Sequence, residues 1–137
     1  MRHAAAALVA LAALALAGCG GSGGGGADES DSRIDLKLTL WPTGTNGDSI
    51  TWTLRCEPTG GDHPDAAAAC AALTAVQDPF VELPPPPRCK EIPGSSPEVA
   101  LLEGDFRGRK VHSMFERSNA CVAGRWDRIA PVFDTGF

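Results

Sequence analysis

The chain has 137 residues, with 12 basic against 17 acidic side chains and a formal net charge of −5. Neutralising phosphates is what drives nucleic-acid binding, and so acidic a chain is a poor candidate for it. Five cysteines occur, but neither a Cys-x-x-Cys spacing nor a histidine cluster, so no metal site and no cofactor are expected.

Met1-Arg2-His3 is a short basic start, and Ala4 to Ala17 contains only Ala, Val and Leu. The run is too short for a confident membrane-spanning helix and ends in small residues, as a secretory signal does. Leu16-Ala17-Gly18-Cys19 resembles the bacterial lipobox, which implies cleavage after residue 18 and a diacylglycerol on Cys19. Residues 19–33 are then a tether: Gly20 to Gly26 is flexible, and Ala27 to Ser32 is acidic and solvated. The expected product is exported and held on the outer side of the cell membrane by its lipid. Removing residues 1–18 takes away one arginine and leaves 11 basic against 17 acidic residues, a net charge of −6.

Residues 34–137 are long enough for one domain with a modest core. Ile34, Leu36, Leu38 and Leu40 alternate with polar residues, the period-two pattern of a half-buried strand. An Asn46-Gly47 step marks a hairpin. Ile50, Trp52, Leu54 and Cys56 return on one face of a second strand. Asp65 to Val76 reads as a helix, Ala-rich and preceded by capping residues and a proline. Cys70 lies on that helix, and a bond to Cys56 would pin helix to hairpin, contributing roughly 3 kcal/mol in the chain-entropy view. Four cysteines other than Cys19 (Cys56, Cys70, Cys89 and Cys121) allow three pairings.

Val99-Ala100-Leu101-Leu102-Glu103-Gly104-Asp105-Phe106 reads as strand, tight turn, strand. Arg107 to Glu116 continues, with Val111, Ser113 and Phe115 facing opposite to Lys110, His112, Met114 and Glu116. Ser118 to Cys121 leads into a loop holding Trp126, and Ala130 to Phe133 with Phe137 reads as a last strand. The expected class is α+β: a five-stranded antiparallel sheet with one or two short helices and two disulfides.

No nucleophile elbow, phosphate loop, zincin or dinucleotide motif is present. His63 in a turn and His112 on a polar strand face are expected at the surface, and an enzyme is the weaker class. The stretch Leu83-Pro84-Pro85-Pro86-Pro87-Arg88-Cys89-Lys90-Glu91-Ile92-Pro93 stands out instead. Prolines on both sides favour an extended backbone with no partner strand, and a disulfide at Cys89 would staple that segment to the body. A pre-ordered extended peptide binds with a smaller entropy cost.

Leu54-Arg55-Cys56-Glu57-Pro58, His63-Pro64, the Ala66 to Cys70 run and Leu73 are similar to the first disulfide region of the Streptomyces subtilisin inhibitor family. Gly108-Arg109-Lys110-Val111 and Ser118-Asn119-Ala120-Cys121 resemble its later strand, and Val132-Phe133 with Phe137 its ending. The resemblance implies a five-stranded sheet with two helices, often dimeric through the sheet, and disulfides Cys56–Cys70 and Cys89–Cys121. It also implies inhibition of subtilisin-like or trypsin-like serine proteases, through an extended loop that one specificity residue and the cleft recognise. The loop would be Arg88, Cys89, Lys90, Glu91 and Ile92, braced from behind by Asn119. Family spacing puts Glu91 at the specificity position, with Glu91–Ile92 the scissile bond. A one-residue shift makes it Lys90, with Lys90–Glu91 the bond, and Lys90 is favoured because a basic side chain suits a trypsin-like target. The second class of reading is an envelope lipoprotein that kept the scaffold and lost inhibition.

Overall fold

The structure is a computed structural model that describes residues 32–82 and 96–136. The signal, the tether to Asp31, the Pro-rich stretch and Phe137 therefore lie outside the described residues. Five strands form one sheet: β1 (Ile34–Trp41), β2 (Ile50–Cys56), β3 (Gly60–Gly61), β4 (Val99–Phe106) and β5 (Arg109–Glu116). Their order is β3-β2-β1-β4-β5, and all neighbours are antiparallel. Among the described residues, two helices, α1 (Ala66–Ala75) and α2 (Ala120–Arg128), and a 3-10 turn (Ala130–Val132) accompany the sheet.

Alternation makes β1 the spine. Its inward side chains Ile34, Leu36, Leu38 and Leu40 are all buried. Trp52, Leu54 and Cys56 join them from β2, Leu102 and Phe106 from β4, and Phe115 from β5. Ala69, Cys70 and Leu73 of α1 and Trp126 of α2 belong to the same core, as do Ile129, Val132 and Phe133, so both helices cover one face of the sheet. Phe80, just after α1, stands edge-on to Phe106 at 4.9 Å between centroids. Cys56 and Cys70 are bonded, with Cα atoms 5.7 Å apart. A persistent disulfide fits an exported protein.

Four readings of the sequence are corrected. Gly104 is not in a turn. It lies within β4 opposite Leu36 at φ +136, and a Cβ there would sit 2.2 Å from the Asp35 carbonyl oxygen. Its glycine serves close strand approach, and the reversal falls at Arg107-Gly108, whose φ values are 49 and 76. The expected loop after Asn119 is helix α2, since the Asn119 side chain caps it and Arg125 and Arg128 stand in its last turn. The expected last strand is a 3-10 turn, because Pro131 offers no N–H to a ladder and Val132 and Phe133 are drawn into the core. The fifth strand is instead the two-residue β3. His63 is buried, only 5% exposed. Its Nδ1 accepts from the Asp65 N–H at 3.1 Å, so its Nε2–H donates to the Val132 carbonyl at 3.0 Å. That ties the start of α1 to the 3-10 turn.

Gly104→Ala is expected to lower stability by about 3 kcal/mol or more, combining a disfavoured φ with a backbone clash. Gly124→Ala, on α2 with nothing within 4 Å of the new methyl, should raise it by about 0.5–1 kcal/mol. Urea denaturation of the two variants checks both signs.

Candidate functional site

Antiparallel strands in near-complete register give the sheet two ends. β1 opens at Ile34, opposite Cys56 and Phe106, and closes at Trp41, opposite Val99. At about 3.3 Å per residue the seven steps of the eight-residue strand separate these poles by about 23 Å. Arg33 enters at the first pole, where its carbonyl accepts the Arg107 N–H at 2.9 Å. The second pole gathers Trp41, Val99 and Glu116, then the turn into α2 with Asn119 and Cys121.

The boundaries of the segment 83–95 lie at this second pole. Ser96 to Glu98 run straight into Val99. Glu82 lines a cleft shared with His112, Ser113, Met114, Glu116, Val122 and Arg125, so the departure point lies beside the second half of β5, on the side of α2 and this pole. Arg88, Cys89, Lys90, Glu91 and Ile92 lie outside the described residues, as does Cys19. Cys121 is disulfide-bonded to a partner outside the described residues.

Local chemistry stiffens this corner. Asn119 has an extended backbone, and its Oδ1 accepts from the N–H groups of Cys121 at 3.0 Å and Val122 at 3.3 Å, which fixes the first turn of α2. One turn on, Arg125 reaches back to β5. Its guanidinium lies 4.6 Å from the Phe115 ring centroid and donates to Ser113 Oγ at 2.8 Å and the Met114 carbonyl at 3.3 Å. Arg117 sits between Glu98 at 3.6 Å and Asp127 at 3.9 Å. Those half-exposed pairs are long and contribute little individually, roughly 0–1 kcal/mol. The stacked, hydrogen-bonded Arg125 and the capped helix start are the firmer anchors.

Among the described residues no group of three His, Cys, Asp or Glu side chains could hold a metal ion. His112 is exposed on the outer sheet face, 3.2 Å from Glu103, and His63 is in the core. The two are not brought together. Sequence reasoning missed Arg125, although its spacing four residues after Cys121 is the helical signal that places it on the same face. It also missed Arg107, whose guanidinium donates to the Gln77 carbonyl at 2.9 Å and the Thr74 carbonyl at 3.4 Å. Arg107 thereby caps the C-terminal end of α1, which has no basic residue of its own there.

A family model described as subtilisin inhibitor-like matches residues 33–119. The chain belongs to the subtilisin inhibitor-like family. Membership places it with inhibitors rather than enzymes. Subtilisin inhibitor-like protein 1 of Streptomyces cacaoi is 36% identical over 75 residues, covering 50% of this chain and 66% of that protein. A chain in the crystal structure of Streptomyces caespitosus sermetstatin in complex with Bacillus licheniformis subtilisin aligns at 23% identity and a TM-score of 0.47, covering 75% of this chain and 99% of that one.

Asp62 supports the first-disulfide region of this family member. Its carboxylate accepts from the Thr53 backbone N–H and from the Thr53 hydroxyl at 2.9 Å. These bonds, the backbone one foremost, hold its pKa below the ordinary value of 3.8. A lowered carboxylate pKa means stability that is complete above that value and is lost as pH falls through the folded-state pKa. Asp62→Asn should therefore lower the urea midpoint at pH 7, and the deficit should shrink as pH falls below the ordinary carboxylate value of 3.8 and through the lowered folded-state pKa. Paired denaturation curves across pH check the prediction.

Proposed function

We propose that this chain is an exported inhibitor of serine proteases, subtilisin-like or trypsin-like, that acts as a poorly released substrate. The observation that carries the reading is the meeting, at one pole of the sheet, of both boundaries of segment 83–95 and the disulfide-bonded Cys121. In this reading Cys89 is the partner of Cys121, and Arg88 to Ile92 is the inhibitory loop. The loop enters the protease cleft extended, adding main-chain hydrogen bonds as an extra strand would. Lys90 fills the specificity pocket and Lys90–Glu91 is the scissile bond, with Glu91–Ile92 as the alternative. After acyl transfer the acyl side, ending at Lys90, is held to the body through Cys89 and Cys121 and the new amine of Glu91 by the chain leading into β4, so the two stay close and resealing competes with hydrolysis at high effective concentration. Asn119 spends its oxygen on capping α2, which leaves its amide NH2 to brace the loop. Proline on both sides of the loop reduces the entropy lost on binding.

The amino-terminal pattern supports export, with residues 1–18 as the signal and Cys19 as the lipid-bearing residue of a tether ending at residue 33. The outer face of the sheet supports a homodimer. Trp41, Val99, Leu101 and Met114 line its second-pole end, where Trp41 faces Val99 and Leu101 faces Met114. Met114 is 40% exposed.

The inhibitor reading is tested by titrating trypsin and subtilisin with the purified chain. Stoichiometric inhibition and a single slow cut at Lys90–Glu91, read by mass spectrometry, are expected. Lys90→Ala should weaken inhibition of trypsin by at least about thirtyfold, the scale of a buried interface anchor. Cys121→Ser should turn the chain into an ordinary substrate. Indifference of both proteases to the native chain would favour a binding lipoprotein without inhibitory action. For the dimer, Leu101→Glu with Met114→Glu should give a monomer in sedimentation, and an unchanged mass would exclude the sheet face as the interface.

A further inference from the structure

We propose that the pole at which the chain enters the fold is turned toward an anionic membrane surface, so that the Cys121 pole points into the medium. This rests on the lipid anchor at Cys19 proposed above. The entry pole carries five basic side chains, Arg33, Arg55, Arg107, Arg109 and Lys110, with four acidic ones, Asp35, Glu57, Asp78 and Asp105. Across the remaining described residues the balance is four basic to nine acidic. The domain is thus a charge dipole, positive at the end joined to the tether and negative elsewhere.

Three of the five positive side chains are held by contacts. Arg109 pairs with Asp78 at 2.7 Å and Lys110 with Asp105 at 2.6 Å, while Arg107 is held by the α1 carbonyls. Arg33 and Arg55 line an open cleft with Asp35 and Glu57. No ion pair engages either guanidinium among the described residues, so both can meet lipid phosphates. The second pole, where Asp48, Glu98, Glu116 and Asp127 outnumber Arg117 and Arg125, is about 23 Å away. Screening in physiological salt acts over about 8 Å. With the entry pole down, a net charge of about +1 lies within the surface field and the acidic excess of the rest of the domain lies farther out. The reverse orientation exchanges them.

The occupant follows from the chain outside the structure. From Cys19 to Ser32 there are 14 residues, and a flexible chain of that length spans about 20 Å on average. The tether therefore ends at the basic pole and holds it near the lipid. Asp28, Glu29 and Asp31 are themselves repelled by the surface and cannot supply the orientation, which falls to the domain.

The test uses the full exported chain with its lipid, inserted into nanodiscs that carry a gadolinium-chelating lipid. Amide relaxation is compared between the entry-pole turn Arg107-Gly108-Arg109 and the distal turn Gly44 to Gly47. In discs containing phosphatidylglycerol, the excess broadening of the entry pole should be about fivefold that in phosphatidylcholine discs, as expected for roughly one net favourable charge at the surface. Arg33→Gln with Arg55→Gln should remove most of that difference without lowering the urea midpoint. Equal broadening at the two poles, or the same excess in both lipids, would overturn the proposal. A purified chain without diacylglycerol on Cys19 would overturn it together with the anchor. Normal orientation with no protease inhibition would support it while removing the inhibitor reading alone.

Discussion

The structure depends on β1 being paired on both sides. Each of its residues from Ile34 to Leu40 faces one residue of β2 and one of β4, so one register fixes three strands at once. Because side chains alternate, a one-residue slip would turn Ile34, Leu36, Leu38 and Leu40 outward and Asp35, Lys37 and Thr39 into the core. The cost of such an exchange is several kcal/mol, which makes the register close to absolute. Gly104 is part of this constraint, since only a residue without Cβ lets β4 approach the Asp35 carbonyl. From that register follow the two poles, and from the poles the separation of the chain's entry at Arg33 from the corner at Cys121.

The outer face carries the same register in a different currency of side chains. Reading across β2, β1, β4 and β5 from the entry pole, one row is Arg55, Asp35, Asp105 and Lys110, and the next is Thr53, Lys37, Glu103 and His112. Lys37 and Glu103 meet at 2.7 Å, and the hydrogen bond from Lys37, with that from His112, keeps the Glu103 carboxyl below its ordinary range despite partial desolvation. Further on the rows become Thr51, Thr39, Leu101 and Met114, then Trp41 and Val99 with Glu116. Charge therefore gives way to apolar surface along the strands. The apolar end adjoins the turn into α2, and a partner seated there would also buttress the corner from which segment 83–95 departs.

How much of this was legible in the sequence follows from how local each signal is. β1, β2 and β5 announce themselves because strict alternation needs no partner to be read. α1 does so because its alanines favour a helix in any context. The Cys56–Cys70 bond was legible only as one option until a resemblance singled it out. Gly104 failed as a signal because glycine marks both turns and close approaches, and only the identity of the facing backbone separates them. His63 was misplaced because its burial comes from a carbonyl 69 positions away. Helix α2 was missed because Gly124 and Val122 weaken its local propensity, while its stability comes from Asn119, Arg125 and Trp126 docking on elements distant in sequence.

The same distinction bears on the candidate loop. Its composition is legible, since prolines and a cysteine describe an extended, stapled peptide without reference to anything else. What converts such a peptide from a substrate into an inhibitor is the rigidity of the body to which its ends attach. Here that body is a helix start capped by Asn119, a strand edge gripped by Arg125 through stacking and two hydrogen bonds, and a chain exit at Glu98 that Arg117 holds only loosely. A gap of a single ångström between cleaved ends can forfeit a large part of the proximity advantage that resealing needs. In the proposed inhibitor the side held through Cys121 would rest on firm supports and the side that leaves with Glu98 on a weak, solvent-screened one. Leakage from inhibition into slow cleavage would therefore begin on the side that leaves with Glu98.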